Sequence, residues 1–92
     1  MNKTQLAAAL DRMDRLYPNV TRPDYRDEVI GVGAAFPPLS RTARQLSQLL
    51  QHHRRTPHEE LLAEAGEEIR ELHDRLRADA QRLLDAPVWP YD

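Results

Sequence analysis

Residues Thr56 to Ala86 read TPHEELLAEAGEEIRELHDRLRADAQRLLDA, and this stretch decides the fold. Thr56, Pro57 and Glu59 have the order of a capping box: a hydroxyl at the N-cap, proline at the first helical position and a glutamate three residues on. Beyond it Leu62, Ile69, Leu76 and Leu83 recur every seven residues, with Ala65 and Leu72 between them. That spacing lays an apolar seam along one side of a helix of about 29 residues, roughly 43 Å long. A seam of this kind has to be packed against something, so the search for its cover organises the rest of the chain.

Working back toward the N-terminus, Ser40 is expected to cap a helix that ends near Arg55. Its face is Ala43, Leu46, Leu50 and His53 or Leu49. Only residues 52–56 separate it from the long helix, which predicts that the two fold back as an antiparallel hairpin. Leu6, Leu10, Met13 and Tyr17 or Leu16 mark another amphipathic helix, stopped by Pro18-Asn19. Between Pro18 and Ser40 the period is lost, and Pro23, Gly31, Gly33, Pro37 and Pro38 predict an irregular segment. That part can hold a short helix from Thr21 to Ile30, stopped at Gly31, and after it residues 32–38 form either a strap carrying Phe36 inward or an inert connector. The fold expected is all-α: a small three- or four-helix bundle with a long C-terminal amphipathic helix packed as an antiparallel hairpin. It forms a single domain over residues 1–92 with an extended aromatic tail over 86–92.

The second hairpin helix, about 15 residues or roughly 23 Å, is too short to cover all of the long one. Seam around Leu76, Leu83 and Leu84 is therefore left for the first helix, for a second copy of the chain or for another protein. Ninety-two residues bury only about 60 to 65% of the unfolded surface, so the core is thin. The tail Asp85-Ala86-Pro87-Val88-Trp89-Pro90-Tyr91-Asp92 carries the single Trp and one of three Tyr. Its rings either fold back on the end of the bundle or dock on a partner, where such residues concentrate binding energy. Leu76, Leu83, Leu84, Trp89 and Tyr91 are the candidate partner-binding residues.

Composition narrows the chemistry. There is no cysteine, which excludes disulfides and thiolate metal sites. A formal net charge of -2 gives no general pull toward nucleic acid or anionic lipid. No stretch reaches the ~18 apolar residues of a membrane span, and Met1 to Leu6 is not a secretion signal, so a cytoplasmic protein without a membrane partner is expected. Arginine outnumbers lysine twelve to one, a skew that fits the coding bias of a GC-rich bacterium or its phage.

Arg41, Arg44, Arg54 and Arg55, with His52 and His53, form the basic patch of the sequence. Phosphate contacts need such a patch. The acids that open the next helix lie beside it, however, and no helix-turn-helix spacing precedes it, which argues against a nucleic-acid-binding regulator. These bases are expected to pair with Glu59, Glu60 and Glu64 across the hairpin. The four histidines lack the i, i+4 separation of a helical zinc clasp, so no metal site is expected, and they read as hinge residues that make stability pH-sensitive.

Glu59, Glu60, Glu64, Glu67, Glu68, Glu71 and Asp74 form an acidic stripe with Arg70 as its one opposing charge. The run Leu62-Ala63-Glu64-Ala65-Gly66-Glu67-Glu68-Ile69 resembles the glutamate helix of the all-α nucleotide pyrophosphohydrolases of the MazG type. That resemblance implies Mg²⁺ held by an E-x-x-E helix facing an E-x-x-D helix, and, for so short a chain, a dimer. Here the E-x-x-D, Glu71 to Asp74, lies on the same helix, and with the seam inward the stripe points to solvent. No nucleophile motif or phosphate-cradling glycine loop is present. The expectation is accordingly a non-catalytic protein–protein interaction module without a cofactor, a helical regulator, adaptor or inhibitor whose partner is another protein or its own copy. A Mg²⁺-dependent pyrophosphohydrolase is the alternative.

Overall fold

A computed structural model describes residues 1–91, and among them every regular element is a helix. The elements are α1 (Lys3–Leu16), a 3-10 turn (Tyr17–Asn19), α2 (Pro23–Ala35), α3 (Pro37–His52) and α4 (His58–Asp85). The molecule measures 42 × 18 × 17 Å. Its long dimension is that of α4, since 28 residues rise about 42 Å.

The segment expected to be irregular is helical almost throughout, because its prolines stand where helices begin. Pro23 and Pro37 each occupy a first helical position, where the missing N–H costs nothing and φ is already helical. Gly31 and Gly33 do not stop α2 either, and neither adopts positive φ. Gly33 is a contact residue: a Cβ built on it would lie 2.5 Å from Ala43 Cβ, so α2 and α3 approach more closely than any side chain there permits. Gly31 faces open space and Gly66 has only ordinary contact with Leu62. Gly33→Ala is thus expected to destabilise by about 1–3 kcal/mol through overpacking. Gly31→Ala and Gly66→Ala are expected to stabilise by up to about 1 kcal/mol each through helix propensity. Urea midpoints of the three variants check the opposite signs.

A single residue joins α2 to α3. Phe36 is extended, with φ -130° and ψ 107°. Its N–H donates to Val32 O at 3.2 Å, and its carbonyl accepts from Leu39 N at 2.9 Å. One residue therefore closes one helix and opens the next while its ring sinks into the core, 0% exposed. The strap expected over residues 32–38 is replaced by this corner, although Phe36 does point inward. Ser40, expected as a cap, lies inside α3 and its hydroxyl donates to Pro37 O at 2.8 Å.

The hairpin of α3 and α4 is present and antiparallel: His53 at the turn lies 3.8 Å from Glu64, while Phe36 at the far end of α3 meets Trp89. The capping box at Thr56 does not form. α4 starts one residue later than expected, with Pro57 at its N-cap, and the Thr56 hydroxyl lies 3.3 Å from His53 Nδ1 instead. A capping box does form at α1, where Gln5 N donates to Asn2 Oδ1 at 2.8 Å and Asn2 N to Gln5 Oε1 at 2.7 Å.

The seam of α4 also differs in register from the heptad. Its buried residues are Leu61, Ala65, Ile69, Leu72, His73, Leu76 and Ala80. Leu61 is 1% and Leu62 48% exposed. A straight helix drifts ~20° per heptad, so positions at the ends of a strict seven-residue repeat rotate off the core. Ile69 and Leu76, in the middle, stay on it, whereas Leu62 turns out and Leu83 is only half-buried. α1 lies along the part of α4 that α3 leaves open, fastened by Asp14 to His73 and Arg77. Leu6, Ala9, Leu10 and Met13 join Tyr25, Val29 and Val32 of α2 and Leu39, Leu46 and Leu50 of α3 in one core with the α4 seam.

Candidate functional site

At the end of the bundle formed by the α2–α3 corner, α4 stops at Asp85 and Ala86 turns extended with ψ 140°. The chain then doubles back. Trp89 and Tyr91 stand edge-on to Phe36, with ring centroids 5.6 and 5.1 Å away, and 5.6 Å from each other. Each such pair contributes about 0.5–1.5 kcal/mol beyond area burial. Leu83, Leu84, Trp89 and Tyr91 all remain half-buried against the core, and Val88 beside them is 77% exposed. The Trp89 indole N–H is enclosed and meets no acceptor among the described residues. Leu76 does not belong to this surface. It is fully enclosed between the helices, so no partner reaches it in the closed bundle, and its place in the expected contact set is corrected.

The basic patch divides in two. Arg41 and Arg44 lie exposed on α3 toward its start, about 12–17 Å along the helix from its C-terminal end. Arg54 and Arg55, at the α3–α4 turn, are instead joined by Arg22 and Arg26 from the start of α2 around a cavity of about 350 Å³. None of Arg41, Arg44, Arg54 or Arg55 is within ion-pair distance of a carboxylate among the described residues, so the expected pairing with Glu59, Glu60 and Glu64 is reduced to His53 with Glu64. No local pattern announces Arg22 and Arg26 as members of this group, since more than 25 residues separate them from Arg54.

His73, read from sequence as one of several hinge histidines, is buried between α1, α2 and α4. Its Nε2 faces Asp14 Oδ1 at 3.2 Å and its Nδ1 lies 2.6 Å from the Tyr25 hydroxyl, while the Tyr17 ring covers it at 4.4 Å. A proton on Nε2 satisfies the carboxylate and leaves Nδ1 to accept from Tyr25 O–H. Hydroxyl, imidazole and carboxylate follow one another as in a nucleophilic triad. Tyr25 is completely enclosed, however, and burial pushes its hydroxyl pKa far up, so this relay packs helices and meets no substrate.

Burial also lowers the His73 pKa, against the opposing pull of Asp14. Below a pH of about 6.5 the unfolded chain takes up a proton that folded His73 refuses, so the contribution is complete above that pH and is lost as pH falls. Stability should decline by up to about 1.4 kcal/mol per pH unit there. Urea midpoints measured from pH 7.5 down to about 5 should show this fall, with a shallower slope in His73→Leu.

The acidic stripe of α4 is exposed from Glu59 to Asp74, as the seam register requires. No second carboxylate helix faces it, and no group of three or more His, Cys, Asp or Glu among the described residues is placed to share a metal ion. Among those residues no helix is long and apolar enough to cross a membrane. Comparison with known proteins finds no matching family model, no matching characterised protein and no matching solved structure.

Proposed function

We propose that this chain is a non-catalytic binding module, a small helical regulator, adaptor or inhibitor-type protein that contacts another protein through its aromatic tail end. The observation that carries the reading is the tail itself. Leu83, Leu84, Trp89 and Tyr91 keep part of their apolar surface in solvent at one end of the bundle, next to exposed Val88. Elsewhere Leu16, Tyr17 and Leu49 are half-buried, and the exposed large apolar residues are Met1, Ile30 and Leu62, which stand apart in the sequence. Aromatic rings held in place by neighbouring rings lose little freedom on docking, which is why such residues dominate interface energetics. The seam of α4 closes on α1 and α3, so a second copy is not needed to cover it.

A photo-reactive phenylalanine analogue placed at Val88 in the cells of origin tests this. A discrete covalent adduct with one protein is expected from position 88 and not from Glu67 on the acidic face. Leu83→Asp or Trp89→Ala should remove it while helicity is retained. Adducts from both positions alike, or an adduct indifferent to both substitutions, would sink the reading. Nucleoside triphosphate turnover with Mg²⁺ that is lost in Glu64→Gln and Glu67→Gln would establish the hydrolase instead.

A further inference from the structure

We infer that the cavity between the start of α2 and the α3–α4 turn is a binding site for a phosphate-bearing ligand, held by Arg22, Arg26, Arg54 and Arg55. This site is at the opposite end of α3 from the aromatic tail and stands independently of it. Four of the side chains lining the cavity are arginines and none is acidic, in a chain whose net charge is -2. None of the four is within ion-pair distance of a carboxylate among the described residues, whereas Arg12, Arg70, Arg77 and Arg82 each are. Four guanidinium groups gathered without counter-charge repel one another, and an anion between them removes that repulsion.

The second observation is an unmet donor. Arg26 reaches across to Gln51, whose side-chain oxygen accepts from its Nη1, yet its Nε is enclosed without any acceptor. A buried donor of a charged group left in this state is costly, which favours a swing of the Arg26 side chain that brings this N–H to a ligand oxygen in the cavity. Arg54 converges on the same residue, its Nη1 donating to Gln51 O at 3.4 Å. The N-terminus of α2 opens on the cavity through Thr21, Arg22 and Pro23, and its cap residue Arg22 provides no side-chain acceptor for the free backbone N–H groups. Such N–H groups and the helix dipole favour an anion placed before them. Glu64 lies 3.8 Å from His53 Nδ1 and does not line the cavity.

The charge count selects the ligand class. A single carboxylate neutralises one of the four guanidiniums, whereas a phosphate ester or diphosphate carries two or more charges and offers the paired oxygens that the arginine fork matches. The buried side chains Val20, Leu50 and Leu61 form an apolar part of the lining. At about 350 Å³ the cavity lies in the range of small-molecule sites.

Calorimetric titration of the full chain with inorganic phosphate, pyrophosphate and acetate, at constant ionic strength, is the test. Saturable binding is expected for pyrophosphate and, more weakly, for phosphate, with none for acetate. Arg54→Ala combined with Arg55→Ala changes exposed side chains only, so the fold is kept, and should weaken pyrophosphate binding at least about tenfold. Arg26→Gln should weaken it as well, whereas Arg41→Ala combined with Arg44→Ala should leave it unchanged. Amide resonances of residues 21–26 and 51–55 should move on titration. Absence of saturable pyrophosphate binding, equal binding of acetate, or an equal loss in the Arg41/Arg44 double variant would overturn the inference.

Discussion

Phe36→Ala is expected to be among the most damaging single changes in this chain, costing about 3–5 kcal/mol of unfolding free energy. A chain of 92 residues has about 5–14 kcal/mol to lose, so the loss is a large share of the total stability. Three contributions meet at this residue. The ring is fully enclosed, and its loss leaves a cavity where α2 and α3 turn. It also supports both tail rings, so Trp89 and Tyr91 lose their platform together. The backbone contribution survives, because alanine keeps the Phe36 N–H and carbonyl bonds that close α2 and open α3. Urea unfolding followed by circular dichroism gives the cost. Trp89 fluorescence should report a wetter indole under conditions where Phe36→Ala remains folded. A Phe36→Ala protein within about 1 kcal/mol of the parent, well below the usual range, would mean that the corner does not hold the core.

The second large effect distinguishes neighbouring leucines. Leu61→Ala should cost about 2–5 kcal/mol, since the side chain is enclosed and its removal leaves a void. Leu62→Ala should fall within about ±0.5 kcal/mol, as for an exposed position. Leu76→Ala belongs with the first, in keeping with its place between the helices. The heptad read from sequence makes the opposite assignment for positions 61 and 62, so denaturant midpoints of the pair decide between the two registers. Similar costs at both positions would contradict the packing described for the first turns of α4.

That one-residue difference shows where the sequence is informative. Leu6, Leu10 and Met13, Ala43, Leu46 and Leu50, and Ile69 and Leu76 are all in the core because the three-and-four spacing is a direct image of a helix face. The all-α class and the hairpin follow from that spacing and from the short 53–57 turn. α2 carries the same image in Tyr25, Val29, Val32 and Phe36, spaced four, three and four, but the prolines and glycines of that stretch mask it. Gly33 reads as a breaker unless its neighbour, Ala43, is known. Proline is equally double-valued, since Pro23 and Pro37 start helices where the sequence suggests interruption.

The functional surfaces divide along the same line. The tail is contiguous in sequence, and its aromatic residues stand out against a chain with few rings. The arginine cavity is assembled from two distant segments, and only the folded chain brings Arg22 and Arg26 to Arg54 and Arg55. The His73 network is of the same kind, drawing Asp14 from α1 and Tyr25 from α2 onto α4.

The central claim is that one chain closes its own apolar seam, leaving the tail end and the arginine cavity as surfaces for other molecules. Sedimentation equilibrium over a wide concentration series, with and without Mg²⁺, tests it most directly. The predicted result is a constant mass of 10.7 kDa at every concentration and in both buffers. A mass that climbs toward twice that value would contradict the claim, and a climb that requires Mg²⁺ would point to carboxylates shared between two chains.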